Sequence, residues 1–153
     1  FKQLIPSSLK YIDYLFVNEF EAGMISGVKT VDDKGEILLD HCYKASAELI
    51  RMGVNKWVVL HFPLGVIAVD HEGHALFQAS IDLPEDKIEG AVGAGDAFAA
   101  GVLIGVHHNK AMNTCLELGV CAAASSLFAA TSSDGITSSE ECLLLKQLYG
   151  FRK

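Results

Sequence analysis

A glycine-rich segment, residues 90–98, contains the residue types that most directly indicate chemistry. It reads Gly-Ala-Val-Gly-Ala-Gly-Asp-Ala-Phe, and it leads into an apolar stretch, residues 97–106, that predicts a helix. Glycines allow the backbone to turn tightly and to approach a ligand closely. The first N–H groups of a helix have no partner within the helix and lie at the positive end of its dipole. The segment therefore predicts an anion site, most often one for phosphate.

Two common phosphate loops do not match this segment. Gly90 and Gly95 have the glycine spacing of a Walker A loop, but Asp96 and Ala97 stand where that loop has its lysine and its hydroxyl residue. A dinucleotide fingerprint has a third glycine where Phe98 stands, and it opens a βαβ unit, whereas mostly helical sequence follows here. The segment therefore indicates neither a P-loop nor an NAD site.

Asp96 is unexpected in a phosphate loop because a carboxylate repels phosphate. One interpretation is that Asp96 accepts the proton of a hydroxyl that attacks a phosphoryl group, while the neighbouring amides stabilise the transferring charge. The other is that Asp96 only occupies the first turn of a helix, where a negative charge contributes about 0.3–1 kcal/mol. Spacing alone leaves both interpretations open.

The elements that would position this loop begin with a predicted parallel crossover. Residues 14–17 predict a short buried strand, Asn18 a helix cap, and residues 19–25 a short helix that ends at Gly27. Residues 57–60 predict a second buried strand. A strand, helices and a second strand in this order are typical of a parallel crossover unit.

A second helix is predicted inside this crossover. Asp32 or Asp33 could cap it, and Gly53 would end it. Its apolar residues recur at steps of four and three, which gives one apolar face: Leu38, Cys42, Ala45, Leu49 and Met52.

The rest of the chain predicts a β-hairpin and closing helices. Residues 66–70 and 74–77 flank a turn-rich tetrapeptide at 70–73. Residues 81–89 are polar and irregular. The helices after the glycine-rich segment are predicted at residues 97–106, at residues 110–130 with Asn109 as cap, and after the capping box Ser138-x-x-Glu141, ending at Gly150. The small residues at 121–126 indicate close approach to a neighbouring helix or to a flat ligand.

Composition excludes several classes of protein. The chain has 12 basic and 19 acidic residues, a formal charge of −7, and this acidic balance argues against a nucleic-acid partner. The longest wholly apolar or glycine run, residues 97–106, is about half of the roughly twenty residues that a membrane span needs. Four cysteines without metal-binding spacing predict buried free thiols and a cytoplasmic location. The sequence does not begin with Met, and we expect residues 1–153 to be one α/β domain from the C-terminal part of a longer chain.

Two motifs in order carry a family resemblance. Residues 93–98, Gly-Ala-Gly-Asp-Ala-Phe, followed by Ala100-Gly101, resemble the signature of the PfkB-type carbohydrate kinases, the ribokinase-like family. Residues 18–21, Asn-Glu-Phe-Glu, resemble the Asn-x-x-Glu motif of that family and likewise follow a strand. The resemblance spans nearly all of this sequence but only the C-terminal half of the family fold. It implies part of a three-layer α/β/α fold, with parallel strands, a β-hairpin and closing helices.

The resemblance also implies a role for each matching residue. Asp96 would be the general base that deprotonates an acceptor hydroxyl. Asn18 and Glu21 would lie near Mg²⁺ and the phosphates of ATP, with Glu21 acting mainly through ordered water; otherwise they are a helix cap and a solvated first-turn acid. The residues that would form the anion hole for the γ-phosphate are Gly93, Ala94 and Gly95.

The sequence departs from the family pattern at two places. Gly90-Ala91 stand where the family has Asp-Thr residues that help to bind a monovalent cation, so the basis for potassium activation is weakened. The family has Thr-x-Gly-x-x-Gly where residues 60–65 read Leu-His-Phe-Pro-Leu-Gly, and only Gly65 remains as a nucleotide-binding candidate. His61 could bind a phosphate or ribose, but it also fits a plain surface or loop histidine. No direct metal ligand is predicted, since the acidic and histidine residues at 70–74 flank a hairpin turn.

Three functional hypotheses follow from the resemblance. The first is an ATP-dependent phosphotransferase that acts on an alcohol of a sugar or related small molecule, with no membrane or nucleic-acid partner. The second is a non-catalytic relative that binds a ligand or acts as a scaffold. The third is a half-length chain that is inert alone or exposes a sheet edge that pairs in a homodimer.

Overall fold

A mixed sheet of four strands forms the framework of the computed structural model, which describes residues 5–153. The strands are β1 (Tyr14–Asn18), β2 (Trp57–Phe62), β3 (Gly65–Asp70) and β4 (Ala75–Ala79), and they are hydrogen-bonded in that order. Strands β1 and β2 are parallel, with Cα partners running from Tyr14–Trp57 to Asn18–His61. The predicted parallel crossover is therefore confirmed.

The crossover contains two helices, of which the second begins later than predicted. A short helix, α1 (Ile5–Ser8), precedes β1 and lies outside the crossover. The crossover helices are α2 (Glu19–Ser26) and α3 (Leu39–Arg51). Helix α2 ends at Gly27, whose φ of 77° is the left-handed conformation that glycine favours at a helix C-terminus. The prediction that Asp32 or Asp33 caps this helix was wrong, because its cap position is Leu38. The Asp32 carboxylate instead accepts the N–H groups of Lys34 and Glu36 in a local turn, and these hydrogen bonds lower its pKa.

One compact unit of the chain comprises, among the described residues, those from 5 to 62 together with Val66–Phe77. The apolar face of α3 and alternate residues of the strands form its core, as the helix period of 3.6 and the strand period of two require. The fully or nearly fully buried members of this core are Leu9, Val17, Ala22, Cys42, Ala45, Leu49, Val54, Val58, Leu60, Phe62, Ile67 and Val69.

Two turns complete the sheet. The predicted hairpin at residues 70–74 is present, and the Asp70 carboxylate accepts the N–H groups of Glu72 and His74 at 2.9 and 2.8 Å. Strand β2 continues two residues beyond the predicted end, so that His61 lies in the strand rather than in a loop. Exposed Pro63 and Leu64 then make the turn into β3.

The second compact unit, Pro63–Gly65 with Gln78–Lys153, contains three further helices. They are α4 (Ala94–His107), α5 (Met112–Ser126) and α6 (Ser139–Leu148), and the capping box of Ser138 and Glu141 is confirmed. The prediction that Asn109 caps α5 was wrong, because Ala111 occupies the cap position. Asn109 instead adopts a left-handed conformation (φ 54°) in the turn after α4. Within residues 5–153, no helix is long and apolar enough to cross a membrane.

Small residues allow α4 and α5 to pack closely. A Cβ on Gly101 would lie 3.0 Å from the Cα of Gly119, and one on Gly105 would lie 2.8 Å from the sulfur of Cys115. Three small residues of α5, Cys121, Ala122 and Ala124, also pack in a core cluster with Cys142 of α6. The small residues of α5 thus serve helix packing within this unit, one of the two predicted alternatives.

Candidate active site

The Asn-x-x-Glu residues lie where β1 passes into α2. The Asn18 side-chain oxygen accepts the N–H of Glu21 at 2.8 Å, and the Glu21 carboxylate accepts the N–H of Asn18 at 2.9 Å. This reciprocal pair of hydrogen bonds is a capping box, in which Asn18 is the N-cap of α2 and the main chain of Asn18 holds the Glu21 carboxylate. The second carboxylate oxygen of Glu21 has no hydrogen bond within the described chain and remains available to a ligand or water.

Glu19, which lies between these two residues in the sequence, is buried. Only 8% of its surface is exposed, and burial raises the pKa of its carboxyl, with a smaller contribution from Glu21. A buried carboxyl beside a second carboxyl is a feature that enzymes use and that cores avoid. The sequence pattern of the motif did not single out Glu19.

The glycine-rich segment forms the start of α4. Gly93 occupies the cap position with φ of 84°, and the helix begins at Ala94, three residues before the predicted start. Gly95 and Asp96 therefore lie in the first turn. In the described part of the chain, their N–H groups have no hydrogen-bond acceptor, whereas the N–H of Ala97 donates to the carbonyl of Gly93 at 2.9 Å. The arrangement leaves adjacent donors at the positive end of a helix, as an anion site requires.

The segment that follows α5 supports this loop. The Glu89 N–H donates to the carbonyl of Leu127 at 2.9 Å, and a Cβ on Gly90 would lie 3.0 Å from the Cα of Ala130. A Cβ on Gly93 would lie 2.7 Å from the Cβ of Ser132. Two features therefore require glycine at position 93: the left-handed backbone and the close approach of Ser132. Sequence reasoning missed Ser132, since nothing in its neighbourhood marks a contact 39 positions away.

Asp96 projects from this first turn into solvent. The residue is exposed, and it takes part in none of the ion pairs or side-chain hydrogen bonds found among residues 5–153. A carboxylate without a competing partner can accept a proton from a bound hydroxyl. Asp96 and the free amides belong to one helical turn, so the carboxylate and the unpaired N–H groups are positioned by the same element.

The predicted site residues fall into three groups. The capping box brings Asn18 and Glu21 together in the first unit, and the first turn of α4 brings residues 93–96 together in the second. Gly65 is the buried first residue of β3, where the Pro63–Leu64 turn ends.

A cluster outside these groups lies at the hairpin turn. One ligand atom from each of Asp70, Glu72 and His74 lies within 4.8 Å of the others. Both Asp70 oxygens already contact groups of the turn, one the two N–H groups and the other His74 Nδ1 at 3.0 Å. The cluster is accounted for by the turn itself, and we assign no metal to it.

This turn gives a pH-dependent prediction. The hydrogen bond to Asp70 raises the pKa of His74 above its ordinary value, with a smaller contribution from Glu72. Because the folded-state pKa is the higher one, the stabilisation is fully present below the unfolded pKa and is lost as pH rises through the folded pKa. An NMR titration should show the His74 pKa falling in Asp70→Asn and falling less in Glu72→Gln. Equal values in Asp70→Asn and the wild type would contradict this assignment.

Comparison with known proteins identifies the family of the chain. The chain belongs to the pfkB family of carbohydrate kinases, whose family model matches residues 1–141. Adenosine kinase 1 of Arabidopsis thaliana is 32% identical over 123 residues, which are 78% of this chain and 34% of that protein. Cytidine kinase of Thermococcus kodakarensis is 29% identical over 119 residues, 78% of this chain and 38% of that protein. The chain thus spans well under half of these curated relatives.

Solved structures show the same fold. A ribokinase from Thermotoga maritima superposes with a TM-score of 0.74 at 24% identity, covering 93% of this chain and 44% of that one. A ribokinase of Arabidopsis thaliana, solved with ribose and ATP, gives a TM-score of 0.76 at 22% identity, covering 92% and 42%. The predicted ribokinase-like α/β fold is confirmed.

Proposed function

We propose that this chain carries the phosphoryl-transfer residues of a kinase that passes the γ-phosphate of ATP to an alcohol group of a sugar or nucleoside. The observation that carries the proposal is the first turn of α4, where the free amides of Gly95 and Asp96 adjoin the exposed Asp96 carboxylate. Family membership and the nucleoside kinases among the relatives support the same class of acceptor.

The proposed reaction is a direct in-line transfer. Asp96 takes the proton of the acceptor hydroxyl as its oxygen forms a bond to the γ-phosphorus, and the bond from that phosphorus to the bridging oxygen breaks, releasing ADP. The free amides at the start of α4 stabilise charge on the transferring group. Of the three residues predicted for the anion hole, Gly95 supplies a free amide and Gly93 shapes the turn, whereas the Ala94 N–H donates to the carbonyl of Ala91 at 3.3 Å. No covalent enzyme intermediate is needed.

The residues at the start of α2 fit a magnesium ion held through water. Carboxylate and amide oxygens are ligands that Mg²⁺ accepts, and the ion usually keeps several of its waters. Glu21 has one carboxylate oxygen outside the capping box, and Asn18 orients the other through that box. When bound, Mg²⁺ would supply charge neutralisation on the phosphates. Asn18 and Glu21 would hold it there, and Gly65 would contribute to the nucleotide site.

Glu21→Gln tests this assignment. Glutamine preserves the capping box but removes the charge, so the free energy of unfolding should change little. We expect the Mg²⁺ concentration required for half-maximal turnover to rise roughly 10–100-fold, the usual cost of losing an outer-sphere partner. Glu141→Gln is the matched control because Glu141 forms the same capping box with Ser138 in α6. An equal Mg²⁺ requirement in both variants would reduce Glu21 to a structural role.

Calorimetry with Mg-ATP tests the nucleotide half of the proposal. The wild type and Asp96→Asn should both bind with similar affinity, because Asp96 acts on the acceptor and not on the nucleotide. Absence of binding to the full-length wild type would instead favour a non-catalytic relative. The altered segment at residues 60–65 motivates that alternative, since it forms the end of β2 and a tight turn here.

Two further properties belong to the proposal. The four cysteines are free and buried, and burial raises the pKa of Cys42 and of Cys121 to about 11. Unreactive free thiols support a reducing compartment, so we place the protein in the cytoplasm.

A homodimer stays a prediction, and light scattering at several concentrations would contradict it by showing a persistent monomer.

A further inference from the structure

The segment after α2 folds back onto the first turn of that helix. Thr30 is only 3% exposed, and its hydroxyl donates a hydrogen bond of 2.6 Å to the main-chain carbonyl of Glu19. Glu19 is the first residue of α2 and lies between the two members of the capping box, Asn18 and Glu21. The bond therefore attaches to the turn that carries the proposed Mg²⁺ residues.

Gly23 makes this approach possible. A Cβ at position 23 would lie 2.8 Å from the Thr30 hydroxyl oxygen and 3.1 Å from the carbonyl of Val28. A glycine inside a helix costs about 0.5–1 kcal/mol relative to alanine. Gly23 does not have a left-handed backbone, so the space it leaves for Thr30 accounts for its presence.

Thr30 is held in turn by the start of α3. Its main-chain carbonyl accepts the N–H of Leu38 at 2.9 Å, and the thiol of Cys42 lies 3.8 Å from the same oxygen. Cys42 is fully buried in the core of this unit. Thr30 thus connects the packed interior to the start of α2.

We propose that Thr30 is a positioning residue for Asn18 and Glu21, an inference that rests on the proposed kinase function. The capping box bonds Glu21 to Asn18, and Asn18 is itself held at the end of β1, where it pairs with His61 of β2. The first turn of α2 lies beyond that strand, and helix ends fray unless other groups restrain them. Among the hydrogen bonds of the described chain, Thr30 supplies the side-chain restraint on this turn from outside β1 and α2. Small displacements of binding groups weaken catalysis steeply. Losing the restraint should therefore weaken Mg²⁺ use more than it weakens the maximal rate.

Two substitutions of Thr30 and one matched control test the inference in the full-length protein. Thr30→Val keeps the shape of the side chain but removes the hydroxyl, whereas Thr30→Ser keeps the hydroxyl. Ser46→Ala is the control, because the Ser46 hydroxyl is buried in the same unit but has no hydrogen-bond partner there. Gly23→Ala is a second route to the same loss, since its Cβ would displace the Thr30 hydroxyl, and it serves if Thr30→Val does not fold.

Amide hydrogen exchange and the Mg²⁺ dependence of ATP turnover are measured for each variant. We expect Thr30→Val or Gly23→Ala to speed exchange in the first turn of α2. Each should also raise the Mg²⁺ concentration for half-maximal turnover roughly 3- to 30-fold, with a smaller fall in kcat. Thr30→Ser and Ser46→Ala should match the wild type in both measurements.

The outcomes separate this inference from the proposed function. An active wild type whose Mg²⁺ requirement is unchanged in Thr30→Val and Gly23→Ala leaves the kinase proposal standing and overturns the role of Thr30. A general loss of kcat at an unchanged Mg²⁺ requirement overturns it as well, because it indicates a structural role alone. A full-length wild type that transfers no phosphate overturns the proposed function, and the role of Thr30 with it.

Discussion

Asp96→Asn should lower kcat roughly 10²–10⁴-fold while the affinity for Mg-ATP stays nearly constant. Asparagine has almost the same shape but cannot take the proton of the acceptor hydroxyl. Asp96 is exposed and has no ion pair in the described structure, so its replacement should lower the free energy of unfolding only by the about 0.3–1 kcal/mol of a first-turn charge. A fall in turnover would then report chemistry and not folding. Single-turnover kinetics and calorimetry measure the two quantities separately.

Asp86→Asn is the matched control for this experiment. Asp86 is also an exposed aspartate of the same unit and lies in a three-residue 3₁₀ helix, Glu85–Lys87, and the substitution makes the same change of charge. It should retain the wild-type kcat. If Asp96→Asn retained it too, Asp96 would have no part in the mechanism.

Gly93→Ala should have the second large effect, on both stability and activity. The left-handed backbone would cost a non-glycine residue about 1–2 kcal/mol, and the added Cβ would meet Ser132 at 2.7 Å. Such overpacking costs about 1–3 kcal/mol more, so the free energy of unfolding should fall by about 2–5 kcal/mol. Relief of the contact would shift the start of α4, and with it the free amides, so kcat/KM should also fall. Denaturant unfolding and steady-state kinetics measure the two effects.

Gly150→Ala separates the two causes. Gly150 also has a left-handed backbone (φ 74°), but a Cβ there would meet nothing within 4 Å. This variant should lose only the backbone contribution, about 1–2 kcal/mol, and should keep its activity. Equal destabilisation of the two variants would show that the contact with Ser132 contributes nothing.

Local sequence signals predicted the elements with short-range causes. The helix of residues 19–25, its glycine end, the hairpin at 70–73 and the Ser138 capping box each depend on residues a few positions apart. Where two local signals compete, the prediction failed. Asp32 could cap a helix or close a turn onto Lys34 and Glu36, and the turn prevailed.

Contacts between distant residues were beyond such reasoning. The sequence shows that Gly93 precedes a helix, but not that Ser132 packs against it. It shows Gly23 within a helix, but not that Thr30 requires the space. In both cases the partner is chosen by how the chain folds back, which no local pattern records. Spacing alone likewise left the chemical role of Asp96 open, because an aspartate in the first turn of a helix fits both a structural and a catalytic role.

Transfer of labelled γ-phosphate from ATP to an alcohol by the full-length protein tests the central claim most directly. Ribose, fructose, adenosine and cytidine form the first panel, with Asp96→Asn assayed beside the wild type at saturating Mg²⁺. We predict a labelled phosphate monoester of at least one acceptor with the wild type and a product rate roughly 10²–10⁴-fold lower with the variant. Equal product formation by both proteins, or Mg-ATP binding without transfer to any acceptor of a broadened alcohol panel, would contradict a kinase that uses Asp96 as its base.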